Sequence, residues 1–366
     1  MSLLSEYRES KIVLARNWPV IFFTEKKSDF QYLRHLFDLL KQEAVPLCYI
    51  TSDNTDILLT RQTEGVSVFY FKYLLGFVFN RLKAGFMVLT MPDLQQFLFK
   101  RSPGVSEYVY VFHALVSTHQ QYRTGAFDYY DTILCAGPHH EKEIRAREKK
   151  HSLPAKNLMP YGYPILEDWT PGNGKNELTQ ITVAPSWYPG CIFETCFYEL
   201  AANLQKNNLK VVVRFHPEFV KRRKKKYGEI VKFIRGTANM SLDTQPDVRE
   251  SLVKTDILIT DRSGIAFEFA LATGRPILFI DTAPKKFNTE AITDGLLPIE
   301  DSFRSKVGLS ISTDRLDSVG EKVNQLIEKG FQSPLVSKTE LVYDVNDNAA
   351  VIKEYFLNKI RNRNSL

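Results

Sequence analysis

Two histidines close apolar runs of strand character, and each sits where an imidazole could do chemistry. His113 follows Tyr108–Phe112 in Val111-Phe112-His113-Ala114, and His216 follows Lys210–Phe215 in Arg214-Phe215-His216-Pro217. A histidine at a strand tip can take a proton from a hydroxyl near neutral pH, the role expected of His113. Pro217 cannot extend a ladder, so the chain must leave the sheet there and hold His216 at the tip. From that place its N–H can serve a phosphate oxygen. A third group, Thr260-Asp261-Arg262-Ser263-Gly264, separates the apolar run Asp256–Ile259 from a helix starting near Ile265. Asp261 or Ser263 can cap that helix, and its open N–H groups, with Arg262, Ser263 and Gly264, suit a pyrophosphate. Glu268, one turn on, is within reach of a ribose hydroxyl. In Ala184-Pro185-Ser186-Trp187, Pro185 and Ser186 are expected to line a nucleotide pocket, with Arg214 on the same side. His119 and Arg123, shortly after His113, are placed to touch an acceptor. Each group also has a plain structural reading as a turn histidine, a helix cap, a surface charge or a packing aromatic.

Such residues need strands to carry them, and the hydrophobic pattern supplies two alternating series. In the first, strand-like runs fall at Pro19–Thr24, Leu47–Thr51, Val66–Tyr70, Phe86–Thr90, Tyr108–Phe112 and Thr132–Ala136. Helices are expected over Asp29–Gln42, Phe71–Leu82, Asp93–Lys100 and Pro138–Lys149. A polar stretch, Gly162–Glu177, reads as a linker. In the second series strands are expected at Gln180–Ala184, Lys210–Phe215, Ile257–Thr260, Pro276–Ile280 and Gly308–Ile311. Helices are expected near Ile192–Asn207, Glu218–Ile234, Val248–Val253, Gly264–Ala272 and Asp314–Lys329. Alternating strands and helices predict parallel sheets covered by helices, hence an α/β fold of GT-B type with two doubly wound Rossmann-like domains facing a cleft. The expected division is 1–165 as the acceptor domain, 166–345 as the nucleotide-donor domain, and 346–366 as a helix returning to the first.

With 366 residues, 44% hydrophobic and 25% charged, the chain has the composition of a globular protein of two domains. Met1–Ser10 is polar and carries no leader pattern, and the apolar region Val66–Met91 is interrupted by Lys72, Asn80, Arg81 and Lys83. A cytoplasmic protein is therefore expected. Cys48, Cys135, Cys191 and Cys196 lack metal spacing, so no metal and no cofactor is expected. There is no Gly-x-Gly-x-x-Gly fingerprint and no phosphate-loop motif, which argues against a dehydrogenase or an ATPase. The net charge of +6 includes one dense run, Lys221-Arg222-Arg223-Lys224-Lys225-Lys226. It reads either as a solvated helix face or as a patch for anionic lipid or a polyanionic acceptor. Nucleic acid is not expected, because no reader motif accompanies the run.

Taken in order, these motifs resemble the CDP-glycerol glycerophosphotransferase family of teichoic-acid primases and polymerases. The resemblance rests on His113, Tyr130-Asp131-Thr132-Ile133-Leu134-Cys135, Gly162-Tyr163-Pro164 with Asp168, Ala184-Pro185-Ser186-Trp187, Arg214-Phe215-His216-Pro217 and Thr260-Asp261-Arg262-Ser263. It implies a GT-B fold, a CDP-linked donor, and transfer of a glycerophosphoryl group to a hydroxyl of a glycan or lipid-linked acceptor. His113 would be the general base, His216 would steady the donor phosphates, and Asp261, Arg262 and Ser263 would help seat the diphosphate. Peripheral contact with the inner face of the membrane is also implied. The chain departs from the family at Phe112-His113-Ala114, where Trp-His-Gly is usual, and at Arg262-Ser263-Gly264, where Tyr-Ser-Ser is usual. The runner-up is a nucleotide-sugar glycosyltransferase or a UDP-sugar 2-epimerase, whose Asp-Ser-Gly-Gly pattern partly matches Asp261-Arg262-Ser263-Gly264. A catalytically idle glycan- or partner-binding protein on the same scaffold is a third reading.

Overall fold

The computed structural model describes residues 2–169, 179–207, 209–245, 247–288, 290, 295–329 and 338–364. Thirteen strands among them form two wholly parallel sheets. The first contains β1 (Trp18–Thr24), β2 (Leu47–Thr51), β3 (Val66–Tyr70), β4 (Ala84–Leu89), β5 (Val105–Val111), β6 (Thr132–Cys135) and β7 (Asn157–Pro160), in the order β3-β2-β1-β4-β5-β6-β7. The second contains β8 (Gln180–Val183), β9 (Lys210–Val213), β10 (Met240–Leu242), β11 (Ile257–Thr260), β12 (Ile277–Asp281) and β13 (Gly308–Ser312), in the order β10-β9-β8-β11-β12-β13. Both orders reverse beside their first strand. Such switch points open a crevice at the carboxyl ends of the strands. The expected GT-B architecture is borne out.

The strands are parallel because their sequences leave no face for water. Val20 to Phe23 in β1 and Ala84 to Leu89 in β4 are buried on both sides, as strands sandwiched between helix layers must be. The helix Phe30–Gln42 covers one face through Leu33, Leu36, Phe37 and Leu40, whose spacing gives one apolar stripe. A continuous core joins residues of the first sheet, such as Met87 and Ile133, to Leu258, Phe267 and Phe279 of the second half.

Several local expectations need correction. Residues 93–100 are not helical: Asp93 and Gln95 have φ of 65° and 72°, a left-handed geometry that no helix contains. The Gln95 N–H and side-chain carbonyl instead hold the backbone at Phe99 and Arg101. Of Phe71–Leu82, only Leu75–Phe79 is helical. The helix expected over Glu218–Ile234 is two, Pro217–Arg222 and Lys224–Arg235, split at Arg223. That over Ile192–Asn207 is split at Cys196. The 170–177 part of the expected linker lies outside the described residues, while Pro164–Asp168 forms a 3-10 turn. Unforeseen elements are β7, β10 and the helix Leu3–Ala15. The last was hidden by its buried Glu6, whose carboxylate accepts the N–H groups of Tyr73 and Leu74 at 2.9 Å each.

The final helix, Val345–Asn364, lies across the first sheet. Phe356 is fully buried with its ring 4.4 Å from that of Phe86 on β4, and Ile352 is buried beside it. Tyr355 and Lys359 both bind the buried carboxylate of Glu107 on β5. Replacing Phe356 with alanine should cost about 3–5 kcal/mol through lost burial and a cavity. Urea titration would read this as a lower midpoint with an unchanged slope. A loss well below about 1 kcal/mol would mean that the helix does not dock this way.

Candidate active site

His113 leaves β5 half-buried, with its ring set by a single backbone contact. Its Nδ1 lies 2.9 Å from the Thr90 carbonyl at the end of β4. A carbonyl only accepts, so the proton of the neutral ring sits on Nδ1 and Nε2 is left with a lone pair. The Tyr110 hydroxyl is also near Nδ1, at 3.2 Å. Burial lowers the His113 pKa below its ordinary value, partly countered by the charge of Asp29 and the Thr90 contact. A neutral imidazole with an open Nε2 is what a general base requires.

His216 is fixed in the opposite sense. Its Nδ1 accepts the N–H of Glu218 at 3.1 Å, capping the helix Pro217–Arg222. The proton is therefore on Nε2, which becomes a donor. Burial, with help from the charge of Lys285, holds its pKa down to about 4. The ring lies 6.0 Å from that of Trp187. Both histidines feel Lys26, which follows β1 and pairs with Glu218 at 4.0 Å. Lys26 is thus a cation that both imidazoles share as a neighbour.

Asp261, 1% exposed, does not point at open space. Its Oδ1 accepts the N–H groups of Ser186 at 2.8 Å and Arg262 at 2.7 Å, and its Oδ2 accepts that of Ile192 at 2.9 Å. Burial pushes its pKa up, against the pull of those three N–H groups. It thereby anchors the segment after β8 that carries the buried Pro185 and Ser186. Arg262 reaches the Asp301 carboxylate, with its Nε buried and without a hydrogen-bond partner among the described residues. Ser263 and Gly264 lead into the helix Ile265–Thr273. A Cβ on Gly264 would stand 2.7 Å from Val116 Cγ1, so glycine lets the two halves meet.

The remaining expected residues are tied to protein partners. Arg214 Nη1 donates to Asp243 Oδ2 at 2.6 Å, to the Gln245 carbonyl at 3.1 Å and to Ser251 Oγ at 3.2 Å. Glu268 is buried, accepts the Tyr163 hydroxyl at 2.9 Å, and has its pKa raised by burial to about 7. The same hydroxyl lies 3.1 Å from the His113 carbonyl, linking Glu268 to the base through one tyrosine. His119 is buried 3.2 Å from Glu143 Oε1, and burial, which lowers its pKa, is outweighed by the Glu143 contact and the Glu143 and Glu300 charges. Arg123 is exposed over the Phe97 ring. His119 and Arg123 line one recess, apart from the His113 contacts. Sequence reasoning missed Lys26 and Asp29, which follow β1, and Lys285, which follows β12 and lies over Trp187. The rule that ligands gather at strand ends could have found all three. Burial lowers the Lys285 pKa, against the charges of Glu300 and Asp261. Among the described residues no metal-binding cluster occurs, and no helix is long and apolar enough to cross a membrane.

Two facing doubly wound sheets with polar groups collected at their carboxyl ends define an α/β protein of the GT-B class. More particularly, residues 191–291 match the family model of the CDP-glycerol:poly(glycerophosphate) glycerophosphotransferases. The resemblance read from the motifs is borne out by that match, which covers the second half's central segment. The solved wall teichoic acid polymerase TagF is similar, with a TM-score of 0.58, 12% identity, and 99% of this chain and 100% of that chain covered. A TagF variant soaked with CDPG gives a TM-score of 0.56 at 14% identity over 99% of each chain. The UDP-GlcNAc 2-epimerase of Methanocaldococcus jannaschii gives 0.56 at 9% identity, over 92% of this chain and 99% of that one. At these identities the likeness is one of fold. No curated protein matches the chain by sequence.

The protonation state of His216 has a thermodynamic signature. Unfolded, the ring takes a proton near its ordinary value of about 6.5; folded, it resists down to about 4. The unfolded state then binds more protons, so this histidine's contribution to stability is full above pH 6.5 and is lost as pH falls towards 4. The stability difference between the native protein and His216→Asn should therefore move against the native protein across that window. Movement the other way would show that the folded ring is charged.

Proposed function

We propose that the protein transfers a glycerophosphoryl, or related alditol-phosphate, group from a CDP-linked donor to a hydroxyl of a glycan or lipid-linked acceptor. The acceptor is held by the half formed by 1–165 and the donor by the half formed by 166–345. His113 Nε2 removes the acceptor proton as the oxygen attacks the distal phosphorus. The bond from that phosphorus to the bridging oxygen breaks, and CMP leaves. Charge on the phosphate oxygens is met by the Nε2–H of His216, by Arg262 and by N–H groups at the start of the helix Ile265–Thr273. The observation that carries this reading is the pair of opposite tautomers. One histidine is set to accept a proton by Thr90, and the other is set to donate a hydrogen bond by the Glu218 N–H.

The glycerophosphotransferase match over 191–291 and the fold shared with TagF soaked with CDPG support a CDP-glycerol donor. The likeness to a 2-epimerase is one of fold and carries no comparable match of family. Peripheral contact with anionic lipid is proposed for the Lys221–Lys226 run, where Lys221, Lys224 and Lys225 are exposed. Arg222 and Arg223 are engaged by Glu218 and Glu194.

Incubation with CDP-glycerol and a hydroxyl-bearing acceptor should release CMP, whereas UDP release from a UDP-sugar would replace this reading with sugar transfer. His113→Ala should lower turnover by about 10²–10⁴-fold. Because His113 must be neutral and its pKa is lowered, the acid limb of kcat/KM should lie below pH 6.5 and vanish in the variant. Near-normal turnover would remove His113 from the mechanism. Reversing the charge of Lys221, Lys224 and Lys225 together should weaken binding to phosphatidylserine vesicles at low salt. Unchanged binding would assign membrane contact elsewhere.

A further inference from the structure

Arg304 begins the short helix Arg304–Val307, outside the segment matched to the family. It is 5% exposed, and among the described residues none of its Nε, Nη1 and Nη2 atoms has a hydrogen-bond partner. Among the described residues its one ion pair is a charge contact without hydrogen-bond alignment, Nη2 to Asp281 Oδ1 at 2.8 Å, at the carboxyl end of β12. The guanidinium lies over the ring of Phe279, 4.4 Å from its centroid. A second guanidinium stands nearby: Arg262 pairs with the carboxylate of Asp301, three residues before Arg304, and after burial its charge is the largest influence holding the Arg304 pKa down to about 10. Arg262 also has a buried nitrogen, Nε, without a hydrogen-bond partner among the described residues.

Two neighbouring guanidinium groups with idle, buried N–H donors are an unfavourable arrangement in a protein left to itself. Each unused donor has lost its water, and the like charges repel in a medium that screens them poorly. Asp281 answers one nitrogen, and it is itself exposed. The arrangement becomes favourable when an anion with several acceptor oxygens enters between the two. Guanidinium groups grip phosphate in this way, through paired charge-assisted hydrogen bonds. The pair stands beside Ser263 and Gly264, where the helix Ile265–Thr273 adds the positive end of its dipole.

We propose that Arg304, acting with Arg262, binds the diphosphate of a nucleoside diphosphate donor, so that this site senses the number of phosphate groups. This rests on the donor half assigned above and adds a residue that the motif reading does not contain. Diphosphate entry supplies the acceptors that the two guanidinium groups lack. The base and the ribose are recognised elsewhere, so loss of Arg304 weakens diphosphates and spares nucleosides.

Calorimetric titration of cytidine, CMP and CDP, with uridine, UMP and UDP in parallel, tests this on the full chain and on Arg304→Met and Arg304→Lys. In Arg304→Met the affinity for the preferred diphosphate should fall about 10–100-fold, with nucleoside affinity unchanged. Arg304→Lys should restore part of the loss. Without ligand, Arg304→Met should melt no lower than the native protein, because a buried and poorly paired cation has been removed. The inference is overturned if nucleoside and diphosphate weaken in parallel. It is also overturned if diphosphate binding is unchanged, or if the unliganded variant melts lower while the ratio of diphosphate to nucleoside affinity stays fixed. The last outcome would make Arg304 a structural cation for Asp281. Preference for UDP would overturn the CDP reading and leave the Arg304 test intact on the uridine series. Failure of the native protein to bind either diphosphate would overturn both.

Discussion

The buried carboxylate of Asp261 is the constraint on which the second half depends. Three N–H groups, from Ser186, Ile192 and Arg262, converge on its two oxygens. These belong to the segments leaving β8 and β11, the two strands that flank the switch point of the second sheet. A buried N–H without a partner is costly, and here three are satisfied by one side chain. Thr260 adds a parallel tie, its hydroxyl donating to the Ala184 carbonyl at 2.7 Å. The carboxylate has a second effect. It stands among Arg262, Arg304 and Lys285 and lifts the pKa values of both Arg304 and Lys285 against burial. A cluster of cations can therefore stay charged before any anion arrives.

The same economy of contacts fixes the two halves relative to each other. Tyr163, from the segment after β7, spans from the His113 carbonyl to Glu268 on a helix of the second half. Asp168 is shared by Arg34 at 2.5 Å and Arg249 at 3.2 Å, one from each side. Glu300 accepts the Ser117 N–H at 3.1 Å. These are polar contacts to buried or half-buried groups, and with the shared apolar core they set the spacing of the cleft. His113 is held in that frame by its neighbours in the sheet and from behind by Tyr163. Its backbone is thus tied to the interface, while its ring is set by the Thr90 carbonyl.

The parts of the site that sequence could reveal are those whose signal is local. A histidine directly after an apolar run, with proline next, marks a strand tip wherever the strand lies in the sheet; His216 was legible for that reason, and His113 nearly as much. Asp261 was legible as a strand-end acid, but two of the three backbone amides it binds lie 69 and 75 residues away in the chain. Lys26, Asp29 and Lys285 carry no local pattern and matter because β1, β5 and β12 end on one side of the molecule. The tautomers were hidden too, since each is set by a backbone atom. The misread segment 93–100 has the composition of a helix, yet its backbone turns left-handed at Asp93 and Gln95. Glu6, buried in the helix Leu3–Ala15, broke the apolar pattern that would have announced that helix.

The residues at 262–264, where the chain differs from the family pattern it resembles, also acquire a physical meaning together. Gly264 has an ordinary helical φ of −61°, so glycine is not needed there for backbone reasons. It is needed because Val116, three residues beyond His113, comes within 2.7 Å of where a Cβ would be. The missing side chain lets the first half come close to the start of the helix Ile265–Thr273. Arg262, two residues earlier, brings a charge into a region already holding Arg304, and that charge is met by Asp301. The two features meet at one junction: glycine admits Val116 to the start of the helix, and the neighbouring cation is held by a carboxylate from a later segment.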